Sequence, residues 1–543
     1  MAPLFLGLDL STQQLKAVII SEDATVVHES AVHFDNDLPE YKTTNGAILG
    51  PAEGEVTSPV AMWLDAMDLL MEGMKQAGIQ FGEIAAISGA GQQHGSVYWS
   101  TSAEATLAGL DPTLTLKEQL APKAFSIQRA PIWQDSSTSQ DCKALEEAIG
   151  GPQVLADLSG SRAYERFTGT QISKIRRLEP EAYAWTSRVS LVSSFIPSLF
   201  VGHIAPIEVS DASGMNLMNV LTCKWDDRLL DACGGPELRS KLGPEPVPGG
   251  TSLGKISEWW SRRWGFSSDC IIAPFTGDNP ATVVSLSAPG DALLSLGTST
   301  TLLLSIPPSD EPPKRFMTSH LLAHPTTLDA QIAMLCYKNG ALAREQVRDQ
   351  YCERDWQRFN KAVESTSAGN NGYMGLYFPL PEIIPPGIVG NFFYKIEENK
   401  PAPVEDLPGD AHPRAILESQ FLSIRSRIAA ILPPHAPHLH RLVVTGGGST
   451  NDTIRQLAAD LFGMKVYVSQ TKEAAGMGGA LLAKYAWWRA GRGETGTFEE
   501  MMGDEVIGMQ CVAEPNPEVA AVYDGFVSVY QSCEEAALEK GPK

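Results

Sequence analysis

A chain of 543 residues is longer than one hydrophobic core organises, so at least two domains are expected. Its 43% apolar and 20% charged residues fit a globular protein and exclude a disordered one. A formal net charge of -22 argues against nucleic-acid binding, which needs clustered Lys and Arg, and reads as a solubility feature.

Residues 4–21 read LFLGLDLSTQQLKAVIIS: an apolar strand carrying Asp9, a small polar turn, and a second apolar strand. Ala24-Thr25-Val26-Val27 extends the pair to a β-meander. The opening MAPLFLGLDLST has no basic segment, and Asp9 interrupts its apolar run, so it does not read as a secretory signal. SPVAMWLDAMDLLMEGMKQAG (58–78) has a 3.6-residue period and predicts a helix with Gly78 as its C-cap. IAAISGAGQQHGSVYW (84–99) predicts a strand, a glycine-rich loop and another strand. SLVSSFIPSLFVG (190–202) is too short for a membrane span and, with its serines and Pro197, predicts a core element.

DALLSLGTSTTLLLS (291–305) repeats the pattern of the opening hairpin. The repeat suggests a duplicated architecture, with an N-terminal domain over residues 1–287 and a C-terminal one over 288–543. RLVVTGGGSTND (441–452) opens a periodic helix ending at Gly463, followed by the strand KVYVS and the small-residue helix EAAGMGGALLAKYAWW (473–488). Strands and helices mixed in this way indicate an α/β fold. Eight cysteines are scattered without CxxC or Cys/His metal spacing, which fits a reducing, cytoplasmic setting.

Turns of Gly, Ser and Thr let backbone N–H groups converge on a phosphate, and a helix start after TGGGSTND adds a dipole that favours anions. Taken singly, each turn reads first as an ordinary β-turn, which uses the same residues for its geometry. No GxxxxGK(S/T) occurs, which excludes a P-loop. GAGQQHG lacks the GxGxxG spacing and leads into a strand, which argues against a Rossmann site. In TGDNPATVVSLS (276–287), Pro280 suits the first position of a helix and Asn279 its N-cap. Asp278 is then free to accept a proton from a substrate hydroxyl, although it could equally be the cap itself.

Two hairpins and one glycine-rich helix start in a single chain resemble the nucleotide cleft shared by actin, Hsp70 chaperones and sugar kinases. The blocks GLDLSTQQLK, SGAGQQHGSVYW, VSDASGMNLMNV (209–220), FTGDNPA, LSLGTST, RAILESQF (414–421), TGGGSTN and EAAGMGGALLA narrow the resemblance to the FGGY family of carbohydrate kinases. Within that family the chain is most similar to the longer, eukaryotic xylulose kinases. The blocks occur in family order over residues 5–485 and are specific as a set.

The resemblance implies an α/β fold of two ribonuclease H-like domains around a central cleft, the first binding sugar and the second ATP. It implies transfer of the γ-phosphoryl group of Mg·ATP to the C5 hydroxyl of D-xylulose, with domain closure over the sugar. Asp278 matches the catalytic base and Asn279 a sugar-binding position. His94 matches a sugar-contacting histidine, and Gln93 is a candidate on the same loop. Arg166 in SRAYERFTG resembles a sugar-contacting arginine, with a surface ion pair as the alternative. Asp9 would orient Mg²⁺ on the nucleotide phosphates and Thr12 would approach them; capping of the turn is the alternative for Asp9. Gly297, Thr298 and Ser299 match the second phosphate loop, and Gly446, Gly447 and Asn451 the adenosine loop. Trp356 would pack against adenine, or else in the core.

The sequence also departs from the bacterial pattern. IWQDSST (132–138) has Ser137 where bacterial members tend to carry arginine, which leaves the role of Asp135 open. Segments 100–131 and 377–405 are unlike their bacterial counterparts and have no assigned role. Three rival readings remain: an FGGY kinase for ribulose, glycerol or another polyol; a non-catalytic actin-like or chaperone-like ATPase; and a sugar-sensing regulator. QQHG and GDNP favour a kinase, because neither loop is needed to hold nucleotide. The expected partners are the sugar and ATP, with no nucleic acid and no membrane. The oligomeric state is not legible.

Overall fold

The computed structural model describes residues 2–540 apart from Leu328, Pro434, Pro437, Gln470, Lys472 and residues 504–507. Strands and helices form two compact units. Unit 1 comprises Met1–Leu286, Leu321–Ala330 and Thr471–Ile507; unit 2 comprises Ser287–His320, Gln331–Gln470 and Gly508–Lys543. Two later segments, 321–330 and 471–507, thus pack with the first unit.

In unit 1 the opening stretch forms the expected meander, with strands Leu4–Leu10, Gln14–Ile20 and Val26–His33. Strand Leu4–Leu10 runs antiparallel to Gln14–Ile20 and parallel to Ile84–Gly91. Both of its faces are buried. Leu6, Leu8 and Leu10 cluster with Trp63, Met67 and Met71 of helix Val60–Gln76, whereas Phe5 clusters with Met477 and Leu481 of helix Ala474–Ala490. Two-sided burial explains why the strand reads as an almost unbroken apolar run. A Cβ on Gly7 would lie 2.1 Å from the Gly476 carbonyl oxygen and 2.4 Å from the Ala480 nitrogen. Backbone meets backbone there, which is the physical reason for the small residues of EAAGMGGALLA.

Two expected caps differ in detail. Helix Val60–Gln76 ends with Ala77 as its C-cap, and Gly78 follows it in the left-handed region at φ 87°. The helix after the short strand Thr276–Gly277 spans Asp278–Leu286, so it starts at Asp278 and Asn279 is not its N-cap. The stretch 190–202 ends strand Thr186–Leu191 and then forms helix Val192–Val201, buried along nearly its whole length.

The register decides where the chemistry sits. Thr276–Gly277 pairs in parallel with Ala90–Gly91, and Asp9 lies beside Ala90 on the other side. Three parallel strands therefore end together, bringing Asp9, the GQQHG loop and Asp278 to one edge of the unit 1 sheet. Ligands of α/β sheets bind at such carboxyl ends.

Unit 2 repeats the plan. Asp291–Leu296 runs antiparallel to Thr300–Ile306 and parallel to Arg441–Thr445. The register pairs Ser295 with Thr445, which puts the Gly297 turn beside Gly446. A Cβ on Gly446, at φ 79°, would lie 3.0 Å from the Leu296 carbonyl carbon and 3.1 Å from the Gly297 nitrogen. Helix Asp452–Phe462 closes at Gly463 with φ 66°, as the sequence predicts. The segment around 377–405 forms a separate antiparallel sheet of strands Tyr373–Phe378, Gly390–Glu397 and Lys400–Val404. Among the described residues no helix is long and apolar enough to cross a membrane.

Candidate active site

In unit 1, His94 ends the QQH turn in the left-handed region at φ 71°. Its Nδ1 lies 2.9 Å from the Gly214 carbonyl oxygen, and its ring stacks on Phe167 at 4.5 Å. A carbonyl only accepts, so Nδ1 carries the proton and Nε2 is left as an acceptor. Burial, and then the charge of Arg166, hold the His94 pKa down at about 3, so the imidazole is neutral. The Arg166 guanidinium lies over Tyr164 at 4.9 Å and over Phe167 at 5.7 Å. Arg166, Phe167 and His94 thus form one stacked group.

On the same loop the Gln93 amide is held at both ends. Its Oε1 accepts from Asn279 Nδ2 at 2.8 Å, and its Nε2 points to Asp211 Oδ1 at 3.5 Å. Asn279 also donates its backbone N–H to Asp278 Oδ1 at 2.8 Å and its side-chain amide to the same oxygen at 3.2 Å. Burial pushes the Asp278 carboxyl up to about 6, opposed by the hydrogen bonds from Asn279 and Gln93. Such a group is ionised at neutral pH yet basic enough to take a proton.

Asp9 is 5% exposed, and its Oδ1 is buried without a hydrogen-bond partner. Burial and the charges of Asp278 and Glu473 raise its pKa to about 7, against the opposing charge of Lys16. An orphaned buried carboxylate of this kind is the donor a hard divalent cation fits. Among the described residues no cluster of three or more His, Cys, Asp or Glu forms a ready-made metal cage, so a cation there would need ligands from phosphate and water. The turn after Asp9 is closed by the Ser11 N–H donating to Gln14 at 3.0 Å. The Thr12 hydroxyl accepts from Trp133 Nε1 at 2.8 Å.

Asp135 is held by bonds within unit 1. Its two oxygens take hydrogen bonds from Val56, Ser137 and Gln171, and Lys174 lies at 3.4 Å. Although burial opposes them, the bonds from Ser137, Gln171 and Val56 hold its pKa below the ordinary value.

Sequence reasoning missed a second layer of buried acids. Glu208 accepts from Thr276 Oγ1 at 2.5 Å and from the Asp211 N–H at 3.0 Å, and Asp211 accepts from Ser193 Oγ at 2.5 Å. Burial raises Glu208 to about 7 and Asp211 to about 8. Asp211 lies inside VSDASGMNLMNV, but nothing in that block says it will be buried beside Gln93. Gln92 was also missed: its amide is buried, with neither polar atom partnered.

Unit 2 presents a cavity of about 750 Å³. Gly297, Thr298, Trp356, Gly447 and Asn451 line it, as the sequence grouped them. Ser299 and Gly446 belong to the same loops but stand outside the lining. The phosphate-type turn is fixed from behind: the Gly340 and Ala341 N–H groups donate to the Thr298 and Gly297 carbonyls at 3.2 and 3.0 Å. Asn451 caps helix Asp452–Phe462 through the Ile454 N–H and donates to Asn360 Oδ1 at 2.9 Å. One face of the Trp356 ring carries the Arg348 guanidinium at 4.8 Å.

Residues 123–285 match the N-terminal domain, and residues 292–487 the C-terminal domain, of the FGGY family of carbohydrate kinases. The xylulose kinase of Rattus norvegicus is 42% identical over 536 residues, covering 98% of this chain and 97% of its own. A probable D-xylulose kinase A of Aspergillus clavatus is 43% identical over 529 residues, covering 92% and 91%. The crystal structure of xylulose kinase from Rhodospirillum rubrum shares the fold, with a TM-score of 0.76 at 16% identity over 99% of this chain and 98% of that one.

Proposed function

This chain belongs to the FGGY family of carbohydrate kinases, and from that premise we propose that it transfers the γ-phosphoryl group of ATP to the C5 hydroxyl of D-xylulose. The observation that carries the reading is the Asp278 carboxylate, set by Asn279 beside the His94 loop in a chain 42% identical to a xylulose kinase over nearly its whole length. Asp278 accepts the proton of the attacking hydroxyl. Its pKa of about 6 leaves it charged at neutral pH and still able to act as a base. His94 accepts a hydrogen bond from a sugar hydroxyl at Nε2, Arg166 and Gln93 donate to others, and Asn279 offers its Oδ1 as an acceptor.

Unit 1 is the sugar-binding part and unit 2 the nucleotide-binding part. Gly297, Thr298 and Ser299 hold phosphate through their backbone; Gly446, Gly447 and Asn451 shape the adenosine loop, and Trp356 packs on adenine. Asp9 would hold Mg²⁺, with Thr12 next to the phosphates. The ion would supply charge neutralisation on the transferring group. Phosphoryl transfer asks little covalent work of the protein, so positioning dominates. The setting is cytoplasmic, and neither nucleic acid nor a membrane takes part.

The test is ADP release from Mg·ATP with D-xylulose, D-ribulose, glycerol and no sugar. Turnover selective for xylulose is the expected result. Selectivity for another polyol would replace the substrate, and sugar-independent hydrolysis alone would replace the kinase with an ATPase.

A further inference from the structure

Arg344 is the fourth residue of helix Ala341–Tyr351 and is 1% exposed. Its Nη1 donates to Gln420 Oε1 at 2.8 Å, and Gln420 Nε2 in turn donates to the Asn339 carbonyl at 2.8 Å and the Gly340 carbonyl at 3.2 Å. The guanidinium is therefore tied to the turn that grips the Gly297-Thr298 hairpin. Its Nη2 is buried and has no hydrogen-bond partner. A Cβ on Gly448 would lie 3.6 Å from Nη2, so the group sits directly behind the glycine loop. Arg344 is also part of the wall of the unit 2 cavity.

No carboxylate among the described residues forms an ion pair with Arg344. Burial draws the guanidinium down to about 10, against the charge of the adjacent Glu345, which also lines the cavity. A buried cation with no bonded counter-ion is destabilising in a low dielectric. A fold that keeps one beside an open cavity gains from it only when an anion arrives. The same low dielectric makes its attraction for that anion strong.

We propose that Arg344 supplies the fixed positive charge for the phosphates of the nucleotide, acting from behind the Gly297 hairpin and the Gly448 loop. The role that a P-loop gives to a lysine in the phosphate cradle is taken here by an arginine behind it. The proposal rests on the reading of the unit 2 cavity as the nucleotide site. It makes Arg344 a binding residue for the diphosphate part of the ligand and leaves adenosine to Trp356 and Asn451.

The test compares MgADP with adenosine by calorimetric titration of the full chain. Arg344→Gln should weaken MgADP about 10- to 100-fold, the scale of one charge-assisted contact, and leave adenosine within about 2-fold. The dependence of MgADP affinity on salt should flatten in the same variant. Arg344→Lys keeps the charge without the fork and should fall between the two. Equal losses for MgADP and adenosine would reduce Arg344 to a packing residue and overturn the proposal, as would no change in either. If Arg344→Gln does not fold, Arg344→Lys decides alone: a loss of about 3-fold or more confined to MgADP supports the proposal, and any other result overturns it. Failure of the wild-type chain to bind MgADP would sink the nucleotide reading itself, which is a different outcome from an unaffected variant.

Discussion

At the ends of its central strands unit 1 gathers buried acids, whereas unit 2 gathers glycines. Asp9, Glu208, Asp211 and Asp278 are all pushed up by burial, to about 7, 7, 8 and 6. At the corresponding place in unit 2 stand Gly297, Gly446, Gly447 and Gly448, with one buried cation, Arg344, behind them. Both units build this edge from the same hairpin and parallel strand. On the proposed function, one scaffold would support two kinds of chemistry. Dehydrated carboxylates handle protons and cations, and exposed backbone handles anions. Side-chain substitutions should therefore act on sugar and catalysis in unit 1, and backbone-shape substitutions on nucleotide in unit 2.

The contrast can be broken at several points. Asp278 apart, the largest effect is expected from Asp9→Asn, which removes a charge from the proposed cation site. Turnover should fall about 100-fold and the magnesium concentration needed for half-maximal rate should rise, with sugar affinity unchanged. A magnesium titration of the steady-state rate checks this. Next is Gly446→Ala, where the new Cβ meets Leu296 and Gly297 backbone in a left-handed conformation. Strain of about 1–3 kcal/mol should cost roughly 10-fold or more in MgADP affinity while xylulose binding stays the same. An equal loss of xylulose affinity would erase the division between the units.

Asp211→Asn sharpens the acid side of the comparison. In the folded chain the Asp211 carboxyl titrates at about 8, against an ordinary value of 3.8, with burial as the main cause. Between those values the folded state keeps a proton that the unfolded chain has released. The stability from this group is complete below about pH 4 and is lost as pH rises through about 8. Asn cannot release a proton, so between pH 6 and 8 the wild-type Tm should fall more than that of the variant, by about 2 °C or more. Thermal melts at the two pH values measure it. The smallest effect belongs to Trp356→Ala, which should weaken MgADP about 2- to 10-fold by loss of ring packing.

What was legible in the sequence was local. The hairpins, the GQQHG loop and the Gly463 cap are each written within a few residues, and each stands where expected. Asp278 was legible as a candidate base, but the start of its helix was not. Pro280 marks a boundary only to within one or two residues, and Asn279 bonds to Gln93, 186 positions away. Glu208, Asp211 and Arg344 were not legible, because their meaning lies in burial. No short window states that an acid will sit under Gln93 or that a buried arginine will keep one nitrogen unpartnered. The return of helix Ala474–Ala490 to the first unit was hidden for the same reason: its small residues make sense only against Gly7 and Gly89.

The most direct test of the account is xylulose-dependent ADP release by Asp278→Ala beside the wild type, with xylulose and MgADP binding titrated on both. A general base contributes about 100- to 10,000-fold. The account predicts a loss in that range with both affinities held within a few-fold, and a wild-type kcat/KM that falls as pH drops below about 6. Turnover that survives the substitution, with both ligands still bound, would contradict the assignment of Asp278 as the base.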